Sequence, residues 1–572
     1  MSERLYDYIQ IDNLKDMLNK TRELFPNNIA YQIKIEERKY KNITHLEVRE
    51  NIDCLGTALI DMGLKDKRVA VIGENRYEWE IAYLSIVCGT GTVVPLDKAL
   101  TENELESVIK RSEVEAIVYS GKYEETLTKI KYKENNKLKH LISMDRLNNE
   151  NGIYSIYELI EKGKELVNNG NREFIDAKID SEKMSIMLFT SGTTSESKVV
   201  ALCHRNICSN LMDIASILDV TSEDTFLSVL PIHHVFECTV GFLFSLYKGS
   251  KTVFCDGLRH IVDNLKEYNV SIMACVPGIY ERIFMMIRKC MDKHGKLDEI
   301  LKNEQKMINA SMEERKEVFK EIHDMLGGKI KLFISGAAAL DSSIEEKYRL
   351  LGFNMVQGYG LTETSPVVAV GTNKESRVGS IGKVVPSCEV RLENVNKDGI
   401  GELVVKGPNV ALGYYNDEKN TKELFVNDWF YTGDLAKIDD EGYIFICGRK
   451  KSVIVLKNGK NIFPEEIETL VNKIEGVNES MIFGKQLSED KENIKIYVEV
   501  VFDREIVKNV YKVESDEEIY KAIFEKIKEI NNQMPQYKAI RGLILTEKPL
   551  IKTTTNKIKR QANLDAINKC EN

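Results

Sequence analysis

The amino-acid sequence predicts an α/β protein with a large N-terminal domain of mixed α/β layers, a small β subdomain and a small α+β C-terminal domain. Two observations predict this class: apolar, β-branched runs recur up to about residue 384, and between them apolar residues fall at i, i+3 and i+4. Such alternation is typical of buried, largely parallel strands joined by helices. The strand runs are VAVIG from Val69, EAIVYS from Glu115, SIMLFTS from Ser185, TFLSVLP from Thr225 and IKLFISG from Ile330. The clearest helical stretches are HLEVRENIDCLGTALIDMG from His45 and SIYELIEKGKEL from Ser155.

Short strands and Gly-rich turns replace this alternation after about Val384, as in GELVVKGPNVALGYY from Gly401 and GYIFICG from Gly442. This change of pattern predicts the small β subdomain. Beyond Gly448 the chain is strongly charged, and its pattern predicts strand, helix, strand, strand, helix and a basic tail. We therefore expect an N-terminal domain of residues 1–448 and a C-terminal domain of residues 449–572.

Composition and charge exclude several classes of protein. The chain has 572 residues, 43% of them hydrophobic and 30% charged, so it is neither collagenous, disordered nor a disulfide-stabilised mini-protein. Its 80 basic residues against 89 acidic ones leave a net charge of −9, whereas a protein that neutralises nucleic-acid phosphates needs a basic surface. We expect a multi-domain enzyme that does not bind nucleic acid.

Neither the first residues nor the cysteines indicate export or membrane insertion. The segment MSERLYDYIQIDNLKDML places charges in every turn, unlike a secretory signal. The longest uncharged stretch, Ile81–Leu96, has 16 residues and contains two glycines and a proline, whereas a spanning helix needs about 20 apolar residues. Eleven scattered cysteines without a CxxC pair are typical of reduced thiols. We therefore expect a cytoplasmic protein with at most peripheral membrane contact.

A hydroxyl-rich segment, TSGTTSESK, spans Thr190–Lys198 and follows the apolar run SIMLF. A loop of this composition can hold phosphate oxygens through backbone N–H groups and short hydroxyls, with the lysine as a point charge. It is not a Walker A loop, because Ser197 stands where that motif needs glycine and Val199 where it needs Ser or Thr. A plain polar turn remains the alternative for this segment alone.

Two further segments place polar side chains after apolar runs. QGYGLTETSP, from Gln357, offers Tyr359 to stack on a base, Thr362 to bind a phosphate and Glu363 to hold a divalent metal. YTGDLA, from Tyr431, places Asp434 after a tight glycine turn, where a carboxylate can accept both hydroxyls of a ribose. By itself, a TGD sequence is commonly only a turn.

Two basic segments complete the set. GRKKSVIVLKNGKNIFPEEIE begins at Gly448, at the predicted domain boundary, and PLIKTTTNKIKR begins at Pro549 and ends in Lys557, Lys559 and Arg560. Taken alone, such charge runs are usually solvent-exposed faces.

The five segments, in this order, resemble the adenylate-forming (AMP-binding) superfamily of acyl-CoA synthetases, nonribosomal-peptide adenylation domains and luciferases. That superfamily has a phosphate loop TSGTTGxPKG, a central YGxTE, a TGD, a GRxK hinge and a terminal GK, and the resemblance covers about residues 20–563. Within it, the chain is most similar to long-chain fatty acid-CoA ligases. The segments similar to that branch are GENRYEW from Gly73, LPIHHVFE from Leu230, SGAAAL from Ser335, GYGLTETSP from Gly358 and GRKKSVIVLKNGKNIFPEEIE from Gly448.

The resemblance implies a two-step reaction. A carboxylate attacks the α-phosphorus of ATP to give acyl-AMP and pyrophosphate, and a thiol, usually that of coenzyme A, then displaces AMP. We expect ATP, Mg²⁺ and coenzyme A as cofactors, and a medium- or long-chain fatty acid as the carboxylic acid. The C-terminal domain would be a mobile lid that carries the catalytic lysine and rotates between the two steps.

The resemblance also implies a role for each matching residue. Lys557 would stabilise charge at the reacting carboxylate and α-phosphate, and Thr362 would contact that phosphate. His234, with His233 as the rival, would lie beside the acyl carboxylate, although a buried structural histidine is nearly as good an explanation. Lys451 would be the hinge and Gly459 would approach the thiol.

The nucleotide would be held by three implied groups of residues. The phosphate loop is Thr190, Ser191, Gly192, Thr193, Thr194 and Lys198. The adenine and ribose contacts are Ser335, Gly336, Ala337, Tyr359, Asp434 and Arg449. Glu363 and Thr193 would hold Mg²⁺. The acyl pocket would draw on residues 276–280 and Gly358.

This chain departs from the superfamily pattern in two loops. Ser195, Ser197 and Val199 replace glycine, proline and glycine in the phosphate loop, which would strain that loop or change its path, and Asn556 replaces the glycine before Lys557. Two alternatives to an acyl-CoA synthetase therefore stay open. One is an acyl-AMP ligase that loads a carrier-protein thiol, and the other is a nucleotide-binding homologue without turnover.

Overall fold

A computed structural model describes residues 2–133, 136–190, 198–293, 307, 309–372, 374–456, 460–486, 494–552 and 558–571. Mixed helices and strands build a large N-terminal part and a small C-terminal part, so the predicted α/β class is confirmed. In the described part of the chain, every helix is too short or too polar to cross a membrane.

The strands, in chain order, run along most of the sequence. They are β1 (Ile29–Glu36), β2 (Lys39–Thr44), β3 (Lys67–Ile72), β4 (Gly91–Pro95), β5 (Ala116–Tyr119), β6 (His140–Ser143), β7 (Ile153–Ser155), β8 (Met184–Phe189), β9 (Val199–Cys203), β10 (Thr225–Ser228), β11 (Lys251–Phe254), β12 (Ile272–Cys275), β13 (Leu332–Ser335), β14 (Met355–Gly360) and β15 (Val367–Val370). They continue as β16 (Lys383–Val384), β17 (Glu389–Glu393), β18 (Gly401–Lys406), β19 (Gly413–Tyr414), β20 (Phe425–Val426), β21 (Trp429–Ile438), β22 (Ile444–Arg449), β23 (Ile454–Val455), β24 (Asn461–Ile462), β25 (Val477–Gln486), β26 (Ile494–Phe502) and β27 (Ile540–Thr546).

The α-helices connect these strands. They are α1 (Leu14–Leu24), α2 (His45–Leu59), α3 (Tyr77–Ser85), α4 (Glu102–Ser112), α5 (Glu124–Lys131), α6 (Ile156–Asn168), α7 (His204–Ile217), α8 (Phe244–Tyr247), α9 (Ile261–Glu267), α10 (Pro277–Lys293), α11 (Met312–Val318), α12 (Lys320–Met325), α13 (Ser342–Leu350), α14 (Glu418–Leu424), α15 (Pro464–Val471), α16 (Arg504–Tyr511), α17 (Asp516–Asn532) and α18 (Arg560–Glu571). Both helical stretches recognised in the sequence, from His45 and Ser155, form helices, namely α2 and α6.

Two large sheets form the N-terminal part. The first sheet has the strand order β16-β15-β14-β13-β12-β10-β11-β1-β2, and the second sheet has the order β19-β9-β8-β4-β3-β5-β6-β7. Buried side chains from both sheets and from α2, α3 and α7 form one continuous hydrophobic cluster. Because a parallel sheet needs apolar cover on its faces, the near-continuous apolar strands seen in the sequence are explained by this packing.

Two smaller units follow. The order β17-β18-β21-β20, with β22 pairing β21, forms a third sheet that matches the small β subdomain expected after Val384. The order β25-β26-β27, together with the β23-β24 hairpin, belongs to the C-terminal part, which has its own core of isoleucines and valines. β22 ends at Arg449, so the predicted division after residue 448 lies at the end of this strand. That division stays a prediction.

Helices α2 and α6 pack so closely that one position between them must be glycine. A Cβ atom on Gly163 would lie 1.8 Å from the backbone oxygen of Cys54, well inside any permitted contact. Backbone atoms cannot turn away as a side chain can, so the two helices would have to separate.

We expect Gly163→Ala to destabilise the N-terminal part by roughly 1–3 kcal/mol, because one added methyl group overpacks a helix contact made through the backbone. Differential scanning calorimetry should show a lower unfolding temperature. Lys164→Ala is the matched control. Lys164 is the next residue of the same helix but is exposed, so this change should leave the unfolding temperature unchanged. Equal unfolding temperatures for Gly163→Ala and the unmodified protein would contradict this account of the packing.

Candidate active site

The parallel strands of the first sheet bring three of the quoted segments together at one edge. β12, β13 and β14 pair in parallel with Cys275 opposite Ser335 and Ser335 opposite Gln357, and β10 lies parallel to β12. Carboxyl ends of parallel strands meet at the same edge of a sheet, which is where open α/β sheets bind their ligands. The segments LPIHH, SGAAAL and GYGLTE therefore converge there, although they are far apart in the sequence.

The backbone at the end of β13 has an unusual conformation and close contacts. The Gly336 N–H donates to the Cys275 oxygen at 3.1 Å, and a Cβ atom at Gly336 would lie 2.9 Å from the Phe236 ring. Ala337 has φ of +68°, a conformation that L residues adopt at some cost. The buried Ser335 hydroxyl has no hydrogen-bond partner among the described residues. Ser335 and Gly336 are buried, and the exposed chain begins at Ala337.

Tyr359, Asp434 and Arg449 form a compact cluster beside this edge. The Tyr359 hydroxyl donates to Asp434 Oδ2 at 2.5 Å, and Arg449 Nε lies 2.7 Å from Asp434 Oδ1. Asp434 and Arg449 face each other directly across β21 and β22, so their pairing follows from the register of the third sheet. Arg449 also donates to the Thr432 oxygen at 3.3 Å. Three of the predicted nucleotide contacts are thus brought together.

The environment of this cluster favours hydrogen bonding by Asp434. Its side chain is buried, with only 4% of the residue exposed. Burial, and then the neighbouring carboxylate, raise the pKa of Tyr359 well above its usual value, so the phenol stays protonated and donates. Each carboxylate oxygen has two acceptor positions, so Asp434 can accept a ribose hydroxyl in addition to its protein partners.

A second cluster joins the turn after β14 to the strand after the phosphate loop. Glu363 and Thr362 lie in a short 3₁₀ turn, and Glu363 Oε1 accepts a hydrogen bond of 2.7 Å from the Tyr414 hydroxyl. The Lys198 ammonium lies 4.6 Å from the centre of the Tyr414 ring. Two predicted site residues are therefore linked through a tyrosine that the sequence analysis did not select.

The predicted phosphate loop is described only at its two ends. Thr190 donates from its backbone N–H, at 2.9 Å, and from its hydroxyl, at 3.3 Å, to the backbone oxygen of Lys198, so these two ends lie side by side. The following predicted residues lie outside the described ranges: Ser191, Gly192, Thr193 and Thr194, together with the substituted Ser195 and Ser197.

The strain expected at Val199 is not present. Val199 is the first residue of β9, pairs with Phe189, and is absent from the described residues with positive φ. Its side chain is buried in a hydrophobic cluster of the second sheet. A β-branched residue suits an extended, buried position, so valine fits there without the conformational freedom of glycine.

The two histidines of LPIHH lie at the same sheet edge. His234 accepts the Phe236 N–H through Nδ1 at 3.4 Å, and Phe236 packs on Gly336. His233 Nε2 lies 3.6 Å from Asp97 Oδ1, which follows β4 of the second sheet. Burial lowers the pKa of His233, and the Asp97 carboxylate opposes this shift. His233 thus lies beside the second sheet, whereas His234 is bonded to Phe236, whose ring packs at the end of β13, so they have different surroundings.

Tyr280 is a core residue of the segment 276–280, whose contribution to the acyl pocket stays a prediction. Tyr280 is completely buried, and its hydroxyl donates to the oxygens of Met273 at 2.7 Å and Ile334 at 3.0 Å. The side chain is therefore fixed in the core between β12 and β13 and cannot line a pocket. Gly358 is partly exposed beside β15.

The C-terminal part is attached through ion pairs. Lys451 lies exposed in a 3₁₀ turn directly after β22, and Lys450 pairs with Glu402 at 2.7 Å. Lys473 pairs with Asp341 of the N-terminal part, also at 2.7 Å. Gly459, Asn556 and Lys557 lie outside the described ranges.

The basic tail is not a plain solvent-exposed face. Arg560 makes a bidentate pair with Glu468, with distances of 2.7 and 2.8 Å, and Glu468 is almost completely buried. The hydrogen bonds from Thr101, followed by the positive charge of Lys559, lower the pKa of Glu104. Arg560 is thus bonded within the C-terminal part, and Lys559 is close enough to Glu104 of the N-terminal part to affect its pKa.

The residues suit a magnesium-bound nucleotide. The described residues contain no cluster of three or more His, Cys, Asp or Glu side chains. Mg²⁺ usually takes one or two carboxylates and completes its octahedron with phosphate oxygens and water, so a single glutamate suffices. Glu363 Oε1 is held by Tyr414, and among the described side chains no donor reaches Oε2. This carboxylate fits the role that its sequence position implies.

Comparison with known sequences agrees with this site. The AMP-binding enzyme family matches residues 18–415, and the AMP-binding enzyme C-terminal domain matches residues 451–569. Long chain acyl-CoA synthetase 4 of Arabidopsis thaliana is 26% identical over 515 residues, 83% of this chain and 76% of that protein. Long-chain-fatty-acid–CoA ligase 1 of Homo sapiens is 27% identical over 523 residues, 84% of this chain and 73% of that protein.

Solved structures share the fold. The anthranilate CoA ligase AuaEII with anthranoyl-AMP superposes with a TM-score of 0.75 at 18% identity, covering 97% of each chain. ATP-bound MatB from Rhodopseudomonas palustris has a TM-score of 0.75 at 23% identity, covering 97% of this chain and 99% of that one. The resemblance drawn from the five motifs is confirmed, as is the expectation that the protein is an enzyme. Since the family covers more than half of its length, the chain belongs to the AMP-binding enzyme family.

Proposed function

We propose that the protein is an ATP-dependent acyl-CoA synthetase that converts a medium- or long-chain fatty acid, through acyl-AMP, into its coenzyme A thioester. One observation carries this proposal. A Tyr359–Asp434–Arg449 cluster, suited to a nucleoside, lies at the same sheet edge as a Glu363–Tyr414–Lys198 cluster, suited to metal-bound phosphates. A site that contains both clusters can bind the nucleoside and the phosphates of one ATP molecule.

The proposed substrate class is supported by the relatives. Several are named long-chain acyl-CoA synthetases or ligases, at 26–28% identity over most of this chain. Acyl-CoA synthetases of this superfamily use ATP, Mg²⁺ and coenzyme A. At 26–28% identity, the names of these relatives favour the reaction class that we propose.

The chemistry follows from the need for a good leaving group. A carboxylate oxygen attacks the α-phosphorus, the bond to the β-phosphate breaks, and pyrophosphate leaves with its electron pair. The thiol sulfur of coenzyme A then attacks the acyl carbon, the bond to AMP breaks, and one proton is released. AMP leaves far more readily than an oxide ion would from the free acid, which is why ATP is consumed.

The described residues would bind the nucleoside as follows. Tyr359 would stack on adenine, with Ser335, Gly336 and Ala337 along its plane. Asp434 would accept the ribose hydroxyls, and Arg449 would hold Asp434 in place and contact the ribose or phosphate. The cluster is preorganised by protein hydrogen bonds, so little ordering is required on binding.

The phosphates would be bound at the second cluster. Lys198 and Thr190 would contact the β- and γ-phosphates, with Ser191, Gly192, Thr193 and Thr194 of the loop between them. Thr362 would contact the α-phosphate, and Glu363, with Thr193, would hold Mg²⁺. When bound, Mg²⁺ neutralises phosphate charge and orients the oxygens.

Lys557 and the histidines would act at the reacting carboxylate. Fixed positive charge at Lys557 stabilises the negative charge that develops on the transferred oxygens in the transition state. His234 would border the acyl carboxylate. Lys451 would be the hinge for rotation of the C-terminal part, after which Gly459 would approach the thiol.

We expect pyrophosphate release from ATP and Mg²⁺ to depend on a fatty acid of medium or long chain, and acyl-CoA to form when coenzyme A is added. The measurement is a panel of acids from acetate to palmitate with aryl acids included, each with and without coenzyme A. Release without a thioester would favour transfer to a carrier-protein thiol. ATP binding without release for any acid would contradict the proposal.

We expect Lys557→Ala to lower acid-dependent pyrophosphate release by at least about 100-fold, since charge stabilisation of this kind is worth roughly 2.7–4 kcal/mol. Thioester formation from supplied acyl-AMP and coenzyme A should persist, because the lysine acts only in the first step. Lys548→Ala, an exposed lysine of the same part, is the matched control. Equal loss of both half-reactions would refute the assigned role.

We expect Asp434→Asn to weaken ATP binding roughly 10- to 100-fold, since hydrogen bonds to a charged group contribute about 1.5–3 kcal/mol. The neutral amide loses the ion pair with Arg449 as well as one acceptor oxygen. Isothermal titration calorimetry with ATP and Mg²⁺ gives the dissociation constant. Asp440→Asn, exposed on the same β21–β22 hairpin, should bind ATP as the unmodified protein does. An unchanged affinity for Asp434→Asn would exclude a ribose contact.

A further inference from the structure

Tyr414 lies where the two large sheets of the N-terminal part meet. It belongs to β19, the edge strand of the second sheet, and it pairs with Val200 of β9. The N–H groups of Leu412 and Tyr415 donate to the oxygens of Ala201 and Val199, at 3.0 and 2.8 Å. Tyr414 is therefore fixed beside the strand that continues from the phosphate loop.

The same segment is bonded to the first sheet. The Ala411 N–H donates to the backbone oxygen of Glu363 at 2.8 Å, while the Tyr414 hydroxyl donates to the Glu363 carboxylate at 2.7 Å. Both the main chain and the side chain of Glu363 are thus held by residues 411–414.

The Tyr414 side chain is itself rigid. Only 6% of the residue is exposed, and its ring packs edge-on against Phe425 with centroids 5.8 Å apart. Its N–H donates to the Thr421 hydroxyl at 2.9 Å. A ring fixed by these contacts can define the position of the groups that it touches.

Tyr414 contacts two opposite charges in two different ways. The Tyr414 hydroxyl, a neutral phenol, donates a hydrogen bond of 2.7 Å to the Glu363 carboxylate. The Lys198 ammonium lies 4.6 Å from the ring centre, within reach of the negative ring face. Glu363 and Lys198 are therefore both bound to the neutral Tyr414 side chain, which can keep the two opposite charges apart.

We propose that Tyr414 is a positioning residue that holds the Glu363 carboxylate and the Lys198 ammonium at a set separation, so that one receives Mg²⁺ and the other the phosphates of the same nucleotide. The inference rests on the proposed function for the identity of that nucleotide. The hydroxyl of Tyr414 would orient Glu363 for the metal, and the ring of Tyr414 would position Lys198 for the phosphates.

Two substitutions separate these roles. Tyr414→Phe removes the hydroxyl and keeps the ring, whereas Tyr414→Leu removes both. Loss of a group that orients a metal ligand typically costs 10- to 100-fold in metal affinity. We therefore expect Tyr414→Phe to raise the Mg²⁺ concentration for half-maximal ATP binding about 10-fold, with ATP affinity unchanged at saturating Mg²⁺. Tyr414→Leu should also weaken ATP binding a few-fold at saturating Mg²⁺.

The measurement is binding of radiolabelled ATP by equilibrium dialysis across a MgCl₂ titration, which requires no turnover. Tyr415→Phe is the matched control, because the adjacent hydroxyl accepts a hydrogen bond from Arg68 at 2.6 Å and its ring stacks with the same guanidinium. That variant loses a tyrosine hydroxyl from the same segment without touching Glu363 or Lys198. Its Mg²⁺ titration should match that of the unmodified protein.

Each outcome bears on the proposal. A Tyr414→Phe titration that superposes on the unmodified protein would overturn it, as would an equal shift in Tyr415→Phe, which would indicate a general effect on β19. A Mg²⁺ shift confined to Tyr414 variants would support it even if no acid stimulated pyrophosphate release. In that case the proposed acyl-CoA synthetase activity would fail while the positioning role stood.

Discussion

Parallel pairing of β10, β12, β13 and β14 is the constraint on which the rest of the site depends. Each strand ends at the same edge, so the loops that follow must share one region of space. For this reason, residues more than a hundred positions apart in the sequence, such as His234 and Tyr359, lie at the same edge of the sheet. Apolar side chains packed against the sheet stabilise this pairing.

Three carboxylates in the described part of the chain, two buried and one half-buried, have hydrogen-bond partners from the protein. Asp434 is bonded by Tyr359 and Arg449, Glu363 by Tyr414, and Glu468 by Arg560. Removing a charge from water costs several kcal/mol unless hydrogen bonds replace the lost hydration. At the candidate site this cost is met by groups that also fix the orientation of each carboxylate. The same bonds that allow burial therefore preorganise the residues for a ligand.

The N-terminal and C-terminal parts are joined by a short turn and by partly exposed ion pairs. Arg449 ends a strand of the third sheet, and the exposed Lys451 follows at once in a 3₁₀ turn. Beyond it, the Lys473–Asp341 pair is a partly exposed ion pair, and such pairs contribute little stability. A large apolar interface would resist rearrangement far more strongly than contacts of this type. This difference is in keeping with a C-terminal part that changes its position during a two-step reaction, as we propose.

Local pattern determined much of what could be read from the sequence. The buried strands, helices α2 and α6, and the β subdomain follow from apolar periodicity, and the ordered motifs identified the superfamily and most candidate site residues. Tyr414, Phe236 and the parallel strand β27 were missed, because their significance depends on residues distant in the chain. The sequence also left open that the Tyr280 hydroxyl is bonded between two core strands. The sequence by itself determined which chemical groups are present and in what order. Only the tertiary structure decided which of them touch, because contacts such as Tyr414 with Glu363 arise from the packing of two sheets and leave no local periodicity.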